Sequence, residues 1–239
     1  MLSTKTRDAC WILSVLLTLP LAAQQRALNP GNPSTIEDFK AGDQNREAQQ
    51  RATDLLQAMN ASPGDWVADV GAGSGYYAMR LSTMVGAQGK VYAEEISNPA
   101  LRSLDLRVKL FDLHNVEVVK GEDDNPRLPA ESLAAVVVIN SYHHFEKYQP
   151  MCEQILHSLK PGGRLVIADY SLPAHRQSSR DDQLKIHEID PDLVRAELTR
   201  AGFRVLACQD AFVNRMPEAA MTYGPKEADI WLMVAVRPQ

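Results

Sequence analysis

Three glycines at alternate positions, Gly71, Gly73 and Gly75, stand between an apolar run and an amphipathic one in Val67-Ala68-Asp69-Val70-Gly71-Ala72-Gly73-Ser74-Gly75-Tyr76. Glycine lets a backbone turn sharply and approach a ligand with no Cβ in the way, and a helix start offers N–H groups without intrahelical partners. The loop is therefore built to hold a ligand. The dinucleotide fingerprint GxGxxG places its third glycine one residue further on, so the spacing GxGxG points away from NAD. Two adjacent acids, Glu94 and Glu95, close the next apolar run. They fall about 20 residues after the loop, where a carboxylate can accept both ribose hydroxyl protons. Period-two alternation allows only one of these neighbours to face a cleft. A third set is Asn140-Ser141-Tyr142-His143-His144-Phe145. Its imidazoles and phenol could serve as a general base near neutral pH, with His143 the first candidate and His144 and Tyr142 beside it. Imidazole also binds metals, but sequence neighbours seldom ligate one ion together, and no metal site is expected. His187 in His187-Glu188-Ile189-Asp190 is a further cleft candidate, with Glu188 and Asp190 read as capping acids.

These groups need elements to carry them. Apolar residues recur at helical spacing from Arg46 to Met59, and Pro63-Gly64 ends the pattern. Trp66–Val70 then reads as a strand, Tyr76–Val85 as a helix and Val91–Glu94 as a strand; Pro99–Leu113 is a helix and Val116–Val119 the next strand. Ala134–Ile139 has no polar alternation, as a central strand covered on both faces requires. Met151–Leu159 is a helix stopped by Lys160-Pro161-Gly162-Gly163, and a strand begins at Arg164. Asp190-Pro191 caps a helix running to Ala201, and Phe203–Cys208 and Ile230–Val236 supply the last strands. The expected fold class is α/β. Its form is a Rossmann-like, doubly wound, seven-stranded, mostly parallel sheet with an antiparallel hairpin at its edge. The third set leaves the carboxyl end of the central strand, where open α/β sheets bind ligands.

Asp69-Val70-Gly71-Ala72-Gly73-Ser74-Gly75 resembles the first motif of class I S-adenosylmethionine-dependent methyltransferases, and Lys160-Pro161-Gly162-Gly163-Arg164-Leu165 is similar to the family's entry into its fifth strand. The resemblance covers Arg46 to Val236. It implies S-adenosyl-L-methionine as cofactor, held by Asp69, Gly71, Ala72, Gly73 and Gly75, with Glu95 on the ribose and Glu94 as its competitor. It further implies Asp123, in Gly121-Glu122-Asp123-Asp124, near the adenine amino group, and Asn140 against the cofactor. Methyl transfer is an in-line displacement that works mainly by positioning, with a base needed only for some nucleophiles. The Tyr-His-His run looks most like small bacterial methyltransferases that carry an export-like N-terminus. A small-molecule acceptor follows by elimination. The alternatives are a protein carboxylate methyltransferase, which Gly73–Tyr76 and Val91–Glu94 resemble locally, or a binding module without turnover.

The whole chain narrows these readings. With 239 residues and 45% apolar composition, it is sized for one catalytic domain. A net charge of -5 disfavours a nucleic-acid partner, because such affinity comes from clustered Lys and Arg. Cys10, Cys152 and Cys208 have no CxxC spacing, which leaves only a Cys152 to Cys208 bridge to consider. Residues 1–23 show a basic start, an apolar run and Leu21-Ala22-Ala23, the pattern of a signal peptide or short membrane anchor. Export is expected, with membrane contact confined to residues 1–23. Residues 24–42 read as a linker or surface arm, and residues 43–239 as the catalytic domain.

Overall fold

The computed structural model describes residues 33–44, 46–213 and 229–239. The export-like segment and the Cys10 thiol lie outside them, as does the first part of the arm. No helix among the described residues is long and apolar enough to cross a membrane.

Seven strands form one sheet in the order β3-β2-β1-β4-β5-β7-β6. They are β1 Trp66–Val70, β2 Lys90–Glu95, β3 Val116–Lys120, β4 Leu133–Ile139, β5 Leu159–Ser171, β6 Arg204–Val213 and β7 Asp229–Val236. The first five pair in parallel, whereas β7 is antiparallel to both β5 and β6. The expected hairpin is thus present, with its second strand inside the sheet and its first at the edge. Strand β4 sits at the middle. Its Ala135, Val137 and Ile139 join one core, and Val136 and Val138 join the other. Burial on both faces explains its unbroken apolar run.

Helices cover both faces: α1 Ile36–Asp43, α2 Arg46–Gln50, α3 Ala52–Ala58, α4 Tyr76–Val85, α5 Asn98–Leu110, α6 Tyr148–Ser158, α7 Arg180–Lys185 and α8 Pro191–Arg200. Three departures from the sequence reading have identifiable causes. Where composition indicated an arm, Thr35 and Asp38 close a reciprocal capping box that starts α1, and Phe39 is buried. Arg107, 1% exposed, donates to the Asp43 carboxylate at 2.7 Å, which ties this helix to the domain. The single helix expected from Arg46 to Met59 is broken at Arg51, whose φ of 49° is left-handed. The Arg51 guanidinium stacks on Phe212 and donates to its carbonyl at 2.9 Å, so a long-range contact outweighs local periodicity. Helix α7 was not foreseen; it begins where Ser179 caps Asp182 N–H. Cys152 and Cys208 are both free, which removes the bridge considered between them.

One further contact fixes the chain between α7 and α8. Ile189 N–H donates to the Tyr170 carbonyl at 2.9 Å, and the Trp231 indole on β7 donates to the Ile189 carbonyl at 2.8 Å. The loop carrying His187 is thereby held on β5 and β7. Asp190 caps α8 as expected, but Glu188 instead accepts Leu172 N–H at 2.8 Å and faces His175.

Candidate functional site

A cleft of about 630 Å³ opens at the carboxyl edge of β1, β2 and β4. The glycine loop forms its floor. Gly71 has a φ of 74°, and a Cβ there would collide with the Ser141 side chain. The Gly71 and Ala72 N–H groups donate to the Glu94 carbonyl at 3.0 and 2.8 Å. Gly71 N–H also lies 3.2 Å from Glu94 Oε2, and Gly73 N–H donates to Glu95 Oε2 at 2.9 Å. Glu95 Oε1 accepts Ile96 and Ser97 N–H groups at 2.9 and 2.8 Å, which shapes the following turn.

Of the expected cofactor residues, Asp69, Gly71, Ala72, Gly73, Glu95, Asp123 and Asn140 line the cleft. Gly75 does not. It caps α4 with a φ of 83° and packs against Leu104, so its glycine serves the turn and the fit of two helices. Glu94 and Glu95 both reach the cleft, contrary to strict alternation. Alternation holds inside a strand, and Glu95 is the last residue of β2, where the chain leaves the sheet. Asp123 stands at the rim, paired with Lys147 Nζ at 3.0 Å. Arg46, Gln50, Tyr77, Ile96 and Ala100 also line the cleft and were not foreseen. Ile96 is 51% exposed, and the signal for it was a large apolar residue directly after the acid pair.

Three residues that line this cleft each carry a buried oxygen with no hydrogen-bond partner among the described residues: Asp69 Oδ2, Glu94 Oε1 and Asn140 Oδ1. An unsatisfied buried acceptor is costly, so such a set fits a ligand rich in N–H and O–H donors. Burial, opposed by the Ala78 N–H and reinforced by the Glu95 charge, pushes the Asp69 carboxyl up to about 7. Burial first, opposed by the Gly71 N–H and reinforced by Glu95 and Asp69, pushes Glu94 up to about 8. S-adenosylmethionine carries a sulfonium, an ammonium, ribose hydroxyls and an adenine amino group. The residues present fit it.

The Tyr142–His144 turn separates its three side chains. Tyr142 is 1% exposed and donates its hydroxyl to Glu197 Oε2 at 2.8 Å, beneath α8. Burial first, then Cys152 and Glu197, hold its phenol well above 10, so it is neither in the cleft nor able to act as a base near neutral pH. Tyr142→Phe is expected to lower unfolding free energy by about 1–2 kcal/mol through the lost buried bond. Its cofactor affinity should match the parent's in a titration; a tenfold loss would return Tyr142 to the cleft. His143 is 2% exposed, and its Nδ1 lies 2.8 Å from Asp169 Oδ1. His144 alone of the three lines the cleft. Its edge reaches solvent, yet desolvation first, then His143 and His187, push its imidazole down to about 4. The ligating nitrogens of His143, His144 and His187 all lie within 4.8 Å of one another. Asp169, missed in the sequence, had one signal: an acid ending the apolar run Leu165–Ala168 at a strand's carboxyl end.

Residues 67–163 match the family model described as a methyltransferase domain. The match covers less than half of the chain. It spans the glycine loop, both acids, the Tyr-His-His turn and the start of β5. A demethylmenaquinone methyltransferase of Geobacillus stearothermophilus is 28% identical over 120 residues, 50% of this chain and 51% of that one. One from Listeria monocytogenes serovar 1/2a shows the same identity and coverage. The chain thus spans about half the length of the curated relatives it matches. Among solved structures, an S-adenosylmethionine-dependent methyltransferase from Aquifex aeolicus superposes with a TM-score of 0.65 at 23% identity, over 80% of this chain and 92% of that one. The cyclase SpnF superposes with a TM-score of 0.66 at 16% identity, over 80% and 82%. The fold is the Rossmann-like methyltransferase fold. Since one of these neighbours is named a cyclase, the reaction has to be argued from the site.

Proposed function

We propose that the chain transfers the methyl group of S-adenosylmethionine to a small-molecule acceptor. The observation carrying this reading is a cleft lined by the glycine loop, Glu95, Asp69, Glu94 and Asn140, the last three of which each carry a buried oxygen without a hydrogen-bond partner. When bound, the cofactor supplies an electrophilic methyl group on a sulfonium. This chain's residues hold and desolvate it: Glu95 and the loop fix one end, Ile96 and Ala100 offer apolar surface, and His144 borders the space left for an acceptor. Demethylmenaquinone methyltransferases among the relatives, whose name specifies a small molecule, favour a small acceptor over a protein carboxylate. Positioning is the main catalytic contribution, since an in-line displacement needs close, aligned partners. His143, held by Asp169, is proposed to orient this wall, with His144 bordering the acceptor. His143→Gln that still binds cofactor should turn over far more slowly.

Titration of the full chain with S-adenosylmethionine is the direct test, and its pH dependence is specific. In the free protein Asp69 and Glu94 hold protons up to about 7 and 8, above their ordinary values of 3.8 and 4.5. Folding therefore retains protons that the unfolded chain releases. The ligand-free protein loses stability as pH rises from the ordinary carboxylate range through about 8. A cationic ligand favours the ionised carboxylates. Binding should release protons and tighten as pH rises from 6 to 8, read by calorimetry in buffers of different ionisation enthalpy. Proton uptake, or no binding at all, would overturn the reading. Binding without S-adenosylhomocysteine formation against small-molecule extracts would mark a binding module, and labelling of protein alone would mark a protein substrate.

A further inference from the structure

Three imidazoles from two distant parts of the chain converge beside the cleft. His143 and His144 come from the turn after β4, and His187 from the anchored loop between α7 and α8. Ring centroids lie 4.0 Å apart for His143 and His144, 5.4 Å for His143 and His187, and 5.3 Å for His144 and His187. Asp169 stands behind His143, its Oδ1 2.8 Å from Nδ1.

The Asp169 arrangement fixes which nitrogen of His143 faces the cluster. Asp169 Oδ2 accepts the His143 backbone N–H at 3.1 Å, and Oδ1 accepts Tyr170 N–H at 2.8 Å. A carboxylate in that position accepts, so His143 Nδ1, 2.8 Å from Oδ1, carries the hydrogen. In the neutral imidazole, Nε2 then keeps its lone pair. A carboxylate behind a histidine is the usual support of a ligating imidazole, setting tautomer and ring orientation. His187 adds a second sign. Its φ is 57°, a left-handed conformation that a non-glycine residue keeps only when its surroundings hold it there. Hydrogen bonds from His187 N–H to Leu184 and from Ile189 N–H to Tyr170 supply that hold.

We propose that His143, His144 and His187 bind one divalent transition-metal ion of the zinc class, with Asp169 as the positioning residue behind His143. Metal–nitrogen distances of about 2.1 Å and tetrahedral angles require ligating atoms about 3.4 Å apart. The present separations, within 4.8 Å, close to that by side-chain rotation of the two exposed rings. A neutral three-nitrogen set suits zinc, cobalt, nickel or copper more than the oxygen-seeking magnesium or calcium. Three protein ligands with two of them exposed leave a fourth position open, the composition of a reactive site and not of a closed structural one. Because His144 also lines the cleft, that position adjoins the acceptor space. An oxygen donor is the ligand class it would take.

The test uses the full untagged chain, stripped with chelator and titrated with Co²⁺ and then Zn²⁺ in the absence of methyl donor. One Co²⁺ per chain with visible d–d absorption, displaced by one Zn²⁺, is the expected result. His187→Ala, an exposed position outside the cofactor cleft, should weaken Zn²⁺ binding at least ~100-fold and keep S-adenosylmethionine affinity. Asp169→Asn should weaken it about 10–100-fold. Substoichiometric binding by the parent, or equal Zn²⁺ affinity in parent and His187→Ala, would overturn the site. Neither readout depends on methyl transfer, so failure here leaves the proposed activity standing.

Discussion

Glu95→Ala is expected to bind S-adenosylmethionine at least ~100-fold more weakly than the parent at pH 8. Its carboxylate accepts three backbone N–H groups, from Gly73, Ile96 and Ser97, at 2.8–2.9 Å. Hydrogen bonds to a charged group contribute about 1.5–3 kcal/mol each, and about 2.7 kcal/mol is a hundredfold in affinity. Removing the side chain frees both the glycine loop and the turn at Ile96, and deletes the acceptor proposed for the ribose. Glu94→Gln is the matched control, because glutamine imitates the protonated acid that burial favours up to about 8. It should change affinity only a few-fold at pH 6.5 and lower it more at pH 8.5. A Glu95→Ala affinity within fivefold of the parent would remove Glu95 from the binding site.

Asp43→Ala is expected to cost about 3–5 kcal/mol of unfolding free energy, measured by urea denaturation. Arg107 is 1% exposed, its guanidinium 4.3 Å from the Phe39 ring, and both of its terminal nitrogens reach Asp43, at 2.7 and 3.1 Å. Without Asp43 a buried charge is left unpaired, which is far worse than never having buried it. The double variant Asp43→Ala, Arg107→Met should therefore recover much of the loss. A cost below about 1 kcal/mol for the single variant would show that water reaches Arg107.

These two predictions mark the limits of what the sequence disclosed. The glycine loop, β4 and the cap at Asp190 were legible because each is specified by neighbours along the chain: spaced glycines, an unbroken apolar run, an acid before proline. Helix α1 was hidden because its stretch is polar on average, and its anchoring through Asp43 to Arg107 spans 64 positions. The break at Arg51 was hidden for the same reason, since its partner Phe212 is 161 positions away. At the site, local reading named the loop, Glu95 and His144, which line the cleft, and also Tyr142, which does not, because residue type alone does not say which way a turn points it. His143 and His144 as neighbours gave little reason to expect a metal site. Only the fold brings His187 across to them.

The Trp231 indole that grips the Ile189 carbonyl has a consequence for the order in which the protein is made. Everything lining the cofactor cleft lies before residue 152, on elements joined by short connections. The His187 loop is clamped by β7, which follows the other six strands of this sheet along the chain and must insert between β5 and β6. Contacts that wait on so distant a segment form late. The His187 loop is thus anchored beside His143 and His144 only once β7 has docked.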